Sequence, residues 1–277
     1  MDETDQITNK GRLQGGTSPC SRKMKNSLKT DKIIVAGPCS AESREQVLRT
    51  AGELAGQGVT AYRAGLWKPR TRPGGFEGVG QEGIEWLAEV RRTYGMRVAT
   101  ELPGAAFVEP LLRSGIDILW IGARTVTSPF DMRQIADALR GCAVDLYVKN
   151  PIAPDAALWL GAVERLEMAG IQGRIVAIHR GFRTGREDIF RNEPLWRIPL
   201  WLREQRPELP IVCDPSHIAG RADLVPVVAR TAMTLGLDGL FVESHCEPNR
   251  ALTDAAQQLT PEETGRMLRE LELGSAR

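Results

Sequence analysis

The sequence has little net charge, no long apolar run and no cysteine pairing pattern. Its 277 residues carry a formal net charge of +1, so no global field favours nucleic acid or an anionic membrane surface. No apolar run reaches the ~20 residues that a membrane-spanning helix needs. The five cysteines are odd in number, widely spaced and without a CxxC pair. These absences predict a cytoplasmic protein with free thiols and no nucleic-acid or membrane partner.

The N-terminal segment lacks the features of a targeting signal. Residues 1–31 are polar and contain no apolar h-region, so they do not form a secretory signal. We predict that they are a flexible extension, and that residues 32–277 form one catalytic domain. With 42% hydrophobic and 26% charged residues, the chain has the composition of a globular protein with a sizeable core.

From residue 32 onward, short β-branched runs alternate with longer amphipathic segments. The predicted strands are KIIVAG, TAYRAG, RVATEL, DILWIGA, DLYVKN, RIVAIHR, PIVCDPS and GLFVES. The predicted helices are 43–56, 81–94, 105–114, 130–140, 155–169, 195–205, 222–235 and 261–272. Eight such alternations predict an α/β fold, a single (β/α)8 TIM barrel. A doubly wound open sheet is the alternative, but no GxGxxG sequence follows the first strand.

Every predicted strand ends in a polar residue, or has one just after it. These residues are Cys39, Arg63, Glu101, Arg124, Lys149, His179 with Arg180, His217 after Asp214, and Glu243 with His245. In a barrel the carboxyl ends of the strands meet on one face, where barrel enzymes perform their chemistry. Any one of these residues could be a solvated rim residue. Burying all of them without partners is costly, so together they predict an enzyme site.

One group of these residues is cationic. It comprises Arg63, Lys68, Arg124, Lys149 and Arg180, of which the first two lie in the Gly/Pro-rich stretch YRAGLWKPRTRPGGF. Five cations facing one cavity would repel one another unless a polyanion lay between them. Guanidinium groups pair bidentately with phosphate or carboxylate, and lysine adds a point charge. The cluster therefore predicts a small ligand with several negative charges, such as a phosphorylated carboxylate.

A second group has the chemistry of metal ligands. Cys39, His217, Glu243 and Asp254 offer a thiolate, an imidazole and two carboxylates, which suit a divalent first-row metal. His245 and Cys246 are rival ligands, and Cys39 could instead be a small buried apolar residue. Strand-end lysines can also form Schiff bases, so an aldolase that uses Lys149 is the alternative from chemistry alone.

Seven ordered motifs give the chain a family resemblance. AGPCSAES, YRAGLWKPRT, WIGART, VKNP, AIHRGF, CDPSHIAGR and FVESH resemble 3-deoxy-D-arabino-heptulosonate 7-phosphate (DAHP) synthases of type I. The resemblance is to the branch shared with 3-deoxy-D-manno-octulosonate 8-phosphate (KDO8P) synthase and with fusions to chorismate mutase. It extends from about residue 32 to about residue 260.

The resemblance implies an activity and a role for each matching residue. The family condenses phosphoenolpyruvate (PEP) with erythrose 4-phosphate and releases phosphate, in the first step of the shikimate pathway. The implied metal ligands are Cys39, His217, Glu243 and Asp254, with Mn²⁺ favoured over Fe²⁺, Co²⁺ or Zn²⁺. The residues implied to bind PEP are Arg63, Lys68, Arg124, Lys149, Arg180 and His217. Those implied to bind erythrose 4-phosphate are Lys68, Pro69, Arg70 and Thr71. The implied catalytic residues are Lys68, Cys39 and His217, with Lys68 or a metal-bound water as the proton donor.

Two other functions stay open beside this one. A KDO8P synthase would use arabinose 5-phosphate, but its loop resembles Lys-Ala-Asn-Arg-Ser, where this chain has Lys68-Pro69-Arg70-Thr71. The shorter, stiffer loop favours the four-carbon sugar. A non-catalytic barrel serving a separate chorismate mutase is the second alternative. We also expect a homo-oligomer, a dimer or tetramer, without a regulatory domain and hence without feedback control of its own.

Overall fold

The structure, a computed structural model, describes residues 32–68, 74–186 and 189–274. Its eight strands are β1 (Ile33–Gly37), β2 (Ala61–Arg63), β3 (Arg97–Glu101), β4 (Ile118–Ile121), β5 (Asp145–Lys149), β6 (Ile175–His179), β7 (Ile211–Cys213) and β8 (Gly239–Glu243). They pair in parallel in chain order, and β8 closes on β1. The predicted barrel is confirmed, and the open sheet is excluded. The predictions for residues 1–31 and for Pro69, Arg70 and Thr71 lie outside the described residues.

The helices follow the predicted order, with shifts at their ends. They are α1 (Arg44–Leu54), α2 (Glu82–Tyr94), α3 (Val108–Arg113), α4 (Ala123–Val126), α5 (Pro129–Ala138), α6 (Ala156–Met168), α7 (Arg197–Gln205), α8 (Pro215–Ala219), α9 (Val225–Thr234) and α10 (Pro261–Glu270). Short 3-10 turns precede α3 and α9, where a single continuous helix was predicted. A complete capping box between Thr260 and Glu263 starts α10, whereas Ser43 caps α1 without the reciprocal bond.

The sequence analysis missed the short helices α4 and α8. Both directly follow a strand and are only one turn long, so they carry no helical periodicity that a sequence pattern could reveal. Asp214 starts α8, because its Oδ1 atom accepts a hydrogen bond from the His217 amide at 3.0 Å. These two helices matter for the site, because α4 carries Arg124 and α8 carries His217.

Two apolar clusters hold the barrel together. The larger lies between the outer faces of the strands and the helices, with Trp159 and Leu87 among its fully buried members. The smaller draws residues from all eight strands, and its largest side chains are Trp120, Tyr147 and Phe241. Trp120 and Phe241 meet edge to face, with ring centroids 5.4 Å apart. The smaller cluster therefore forms the floor on which the polar residues at the strand ends rest.

Candidate active site

A cavity of about 960 Å³ opens at the carboxyl ends of the strands. Eight of the predicted site residues line it: Cys39, Arg63, Lys68, Arg124, Lys149, Arg180, His217 and Asp254. Glu243 is fully buried beside it, with Oε1 3.3 Å from the Arg63 Nη2 atom. The barrel therefore brings together all the predicted site residues that the structure describes.

Three of the four predicted metal ligands converge. The ligand atoms of Cys39, Glu243 and Asp254 lie within 4.8 Å of one another, and the Cys39 Sγ atom is 3.4 Å from Asp254 Oδ2. The Lys68 Nζ atom is 2.7 Å from Cys39 Sγ and 3.0 Å from Asp254 Oδ2. Gln257 donates a hydrogen bond to the other oxygen of Glu243 at 2.6 Å. The cluster thus already surrounds a cationic group, which is the environment that a divalent ion requires.

The chemistry of these side chains fits a metal ion. Burial and the charge of Glu243 raise the pKa of the Cys39 thiol to about 12, so without a metal the sulfur keeps its proton. Burial opposes the charge on Lys68, but the attraction of the Glu243 and Asp254 carboxylates, with the hydrogen bond to Cys39, outweighs it and raises the lysine pKa. A thiolate with two carboxylates suits Mn²⁺, Fe²⁺, Co²⁺ or Zn²⁺, and binding would release the thiol proton.

His217 lies beside this cluster, held by a carboxylate. Its Nδ1 atom is 2.8 Å from Asp214 Oδ2 and 3.8 Å from Glu243 Oε1. Lys149 Nζ donates to the same Asp214 oxygen at 3.1 Å. Burial alone would raise the pKa of Asp214, but His217 and Lys149 hold it well below its usual range. Burial lowers the pKa of His217 despite the attraction of Asp214, so the imidazole is neutral and able to bind a metal.

The cations of the cavity differ in how their charge is balanced. The Arg63 guanidinium lies 4.7 Å from the Trp120 ring centroid and 4.5 Å from that of Phe241, and it contacts Glu243. Arg180 is buried, and within the described residues its guanidinium donates only to neutral oxygens, those of Asn192 and Gly181. Burial and the neighbouring arginines lower the pKa of Arg180 to about 10, although Asp214 partly offsets them. Positive charge is therefore in excess on this side of the cavity.

Several cavity residues escaped the sequence analysis. Arg183, Arg191 and Asn192 line the cavity, and all follow β6 in one long loop. The Arg191 Nη1 atom donates to Asp254 Oδ1 at 3.0 Å and to Gln257 Oε1 at 2.7 Å. The basic run from residue 180 to 191 was the available signal. The run carries no strand pattern of its own, so the sequence alone does not place it at the cavity.

Two of the three histidines do not belong to the cavity lining, which corrects the expectation that all strand-end residues converge. His179 packs among aromatic rings, with centroids 5.1 Å from Trp196 and 5.8 Å from Phe182. His245 accepts a hydrogen bond from the Glu247 amide, and its Nε2 atom is 3.6 Å from Glu42 Oε2. Cys246, the other rival metal ligand, directs its sulfur towards the Gln46 carbonyl of α1.

The buried ring of His179 predicts acid sensitivity. Burial lowers its pKa from 6.5 to about 3, so the unfolded chain takes up a proton below pH 6.5 while the folded protein does not. The free energy of unfolding therefore falls by up to ~1.4 kcal/mol for each pH unit between those two values. We expect His179→Leu to weaken this pH dependence by the uptake of one proton. The free energy of unfolding, measured from urea unfolding curves between pH 6 and 4, should change less steeply with pH than in the unmodified chain. An unchanged slope would contradict this assignment.

The fold and the cavity define a (β/α)8 barrel with a cation-rich site next to a thiol and carboxylate cluster. Comparison with known proteins shows the family of the chain. The family model described as the DAHP synthetase I family matches residues 21–274, and the chain belongs to that family. Within the described residues, no helix is long and apolar enough to span a membrane.

Similar proteins come from both branches of the predicted resemblance. The chain is 36% identical over 226 residues to a phospho-2-dehydro-3-deoxyheptonate aldolase of Thermotoga maritima, covering 82% of this chain but 64% of that protein. It is 30% identical over 250 residues to a 2-dehydro-3-deoxyphosphooctonate aldolase of Bordetella petrii, covering 80% and 83%.

Solved structures agree with the fold. The crystal structure of the Thermotoga maritima DAHP synthase superposes with a TM-score of 0.77 at 32% identity, covering 88% of this chain and 69% of that one. A truncated form of the same synthase gives a TM-score of 0.75 at 31% identity, covering 87% and 85%.

Proposed function

We propose that this protein condenses PEP with erythrose 4-phosphate to give DAHP and inorganic phosphate. The observation that carries the proposal is the cavity of a DAHP synthetase I family barrel in which five predicted cations lie beside the Cys39, Glu243 and Asp254 cluster. Both substrates are anionic, and fixed cations can hold two mutually repelling anions at reaction distance.

PEP binds on the side of the cavity where positive charge is in excess. Arg124, Lys149 and Arg180 supply the charge for its carboxylate and phosphate, and Arg63 holds the inner end of the site over the aromatic floor. His217 adjoins this group through Asp214, which also contacts Lys149. An anion bound here would offset the burial and the repulsion from neighbouring arginines that together lower the pKa of Arg180.

The reaction forms a carbon–carbon bond and breaks a carbon–oxygen bond. The methylene carbon of PEP attacks the aldehyde carbon of the sugar, water adds at C2 of PEP, and the bond from C2 to the phosphate oxygen then breaks. Cys39, His217, Glu243 and Asp254 would hold a divalent metal, which supplies Lewis-acid polarisation of the aldehyde when bound. Mn²⁺ is the first ion to test.

Lys68 is the proton donor in this proposal. A lysine amine of ordinary pKa is charged at neutral pH, and an alkoxide is more basic than an amine, so the transfer is downhill. The loop that carries Lys68 is closed at its base, because the Lys68 amide donates to the Glu77 carbonyl at 2.8 Å. Gly78 permits that closure, since it has φ +98° and a Cβ there would lie 2.2 Å from the Leu66 carbonyl oxygen.

The sugar site is the part of the proposal that rests on sequence. We assign the phosphate of erythrose 4-phosphate to Arg70 and Thr71, with Pro69 stiffening the loop after Lys68. The similarity to an octonate aldolase favours arabinose 5-phosphate as the second candidate substrate. We also propose that the protein is a homo-oligomer and acts in the cytoplasm.

Phosphate release from PEP with each sugar tests the choice of aldehyde. We expect kcat/KM with erythrose 4-phosphate to exceed that with arabinose 5-phosphate by about tenfold or more, since one extra carbon and hydroxyl in a fitted pocket costs at least this much. The matched control is the same assay without aldehyde, which reports simple hydrolysis of PEP. Faster turnover with arabinose 5-phosphate would assign the chain the other activity.

A further inference from the structure

Two loops carry two of the proposed metal ligands, and hydrogen-bonded cross-links between residues outside the ligand set join these loops. The loop after β1 holds Cys39, and the segment after β8 leads to Asp254. The Cys39 amide donates to Gln258 Oε1 at 3.0 Å. The Thr253 hydroxyl donates to the Ser40 hydroxyl at 2.9 Å, and both residues are buried. Neither Ser40, Thr253 nor Gln258 lines the cavity, so these bonds bind no substrate.

Glu42 provides a third cross-link between the two loops. Its carboxylate contacts both ends of the segment from His245 to Leu252. Its Oε1 atom accepts a hydrogen bond from the Leu252 amide at 2.7 Å, two residues before Asp254. Its Oε2 atom is 3.6 Å from His245 Nε2, two residues after Glu243. The Glu42 amide in turn donates to Gln46 Oε1 at 3.1 Å, which ties it to α1.

The orientation of His245 supports this arrangement. Its Nδ1 atom accepts a hydrogen bond from the Glu247 amide at 2.8 Å, so in the neutral ring the proton is on Nε2, the nitrogen that faces Glu42. This N–H faces the Glu42 carboxylate at 3.6 Å, which is an electrostatic contact and not a hydrogen bond. Glu42 spans the segment from His245 to Leu252 with one oxygen at each end.

The backbone at Asp254 needs such support. Asp254 has φ +48°, in the left-handed region that non-glycine residues seldom occupy. This conformation is unfavourable for a residue other than glycine and persists where surrounding contacts enforce it. Here the contacts lie on both sides, with Leu252 and Thr253 bonded before Asp254 and Gln257 and Gln258 bonded after it.

We propose that Glu42 is a positioning residue that holds Asp254 against Cys39, so that the metal site is formed before the ion binds. The inference rests on the proposed metal site and goes beyond its ligands. Glu42 does not line the cavity, so it acts through Leu252 and His245. Its loss should weaken metal binding without altering the contacts of PEP.

Metal affinity measured without substrates tests this role. The full chain is stripped with EDTA, and Mn²⁺ is titrated in competition with a chromogenic chelator. We expect Glu42→Ala to raise the Kd for Mn²⁺ about 10- to 100-fold, the range seen when residues that orient metal ligands are removed. Glu42→Gln should show a smaller rise, because its amide oxygen still accepts from Leu252. At saturating Mn²⁺ the KM for PEP should stay unchanged.

The matched control is Glu45→Ala, an exposed carboxylate in the first turn of α1. It should bind Mn²⁺ as the unmodified chain does. Equal Kd values for Glu42→Ala and Glu45→Ala would overturn the proposal. If Glu42→Ala fails to fold, Ser40→Ala removes one hydroxyl of the second cross-link and should raise the Kd several-fold, and an unchanged Kd there would also count against the inference. Because no substrate is present, the result is independent of which sugar the protein uses.

Discussion

EDTA treatment is expected to abolish phosphate release from PEP and erythrose 4-phosphate, and added Mn²⁺ is expected to restore it. The ligand atoms of Cys39, Glu243 and Asp254 lie within 4.8 Å of one another at the edge of the cavity. Polarisation of an aldehyde by a metal is worth several kcal/mol. Cys39→Ala should therefore lower kcat by about a thousandfold or more with PEP and sugar at saturation.

Cys213→Ala is the matched control for this experiment. Cys213 is a buried thiol of β7 outside the metal cluster, so its removal should leave the metal requirement intact. Full activity of Cys39→Ala in the presence of EDTA would remove the metal from the mechanism. A Schiff base on Lys149 would then be the leading alternative, and borohydride trapping with the aldehyde tests it directly.

The fold could be predicted because its signals are local and repeated. Each strand is a short β-branched run, and each predicted helix is an amphipathic segment of at least two turns. The order of the strands then follows from the rule that parallel β-α units are right-handed and adjacent. Helices α4 and α8 could not be predicted, because a single turn is too short to show a helical periodicity. Their residues also follow the strands directly, with no change of sequence pattern to mark where a helix begins.

The site could be predicted only in part, because a sequence shows where a residue falls but not which way its side chain points. His179 and Arg180 are neighbours at the end of β6, and successive side chains of a strand point to opposite faces. Arg180 lines the cavity, whereas His179 lies among Trp196 and Phe182.

A site residue in the middle of a loop is harder still to predict from sequence. Arg191 reaches Asp254 from the middle of the loop after β6, and such a contact depends on the path of the loop rather than on any period in the sequence.

Arg180→Met is expected to weaken PEP binding while leaving the protein as stable as before, or more stable. Arg180 is only 9% exposed, and burial and its arginine neighbours lower its pKa to about 10. Its charge is thus unfavourable until an anion arrives. Removing an unbalanced buried charge in favour of an apolar side chain is neutral or stabilising. Losing a charge-assisted contact of about 1.5–3 kcal/mol should raise the Kd for PEP tenfold or more.

Lys149→Met should have the same effect on PEP and the opposite effect on stability. Its amine is 3.1 Å from Asp214, which is fully buried, so the substitution strips a buried carboxylate of one of its two partners. We expect the free energy of unfolding to fall by on the order of 3 kcal/mol.

Calorimetric titration of PEP and urea unfolding without ligand separate these two effects, with the exposed Arg133→Met as the control that changes neither. If Arg180→Met destabilised the protein as much as Lys149→Met, the charge of Arg180 would be balanced in the folded protein. That result would contradict the excess of positive charge around Arg180. If both variants kept the PEP affinity of the unmodified chain, the anion would bind elsewhere in the cavity. The expected pattern, two similar losses of affinity with stabilities that diverge, arises only if Arg180 is held in place for a ligand rather than for the fold.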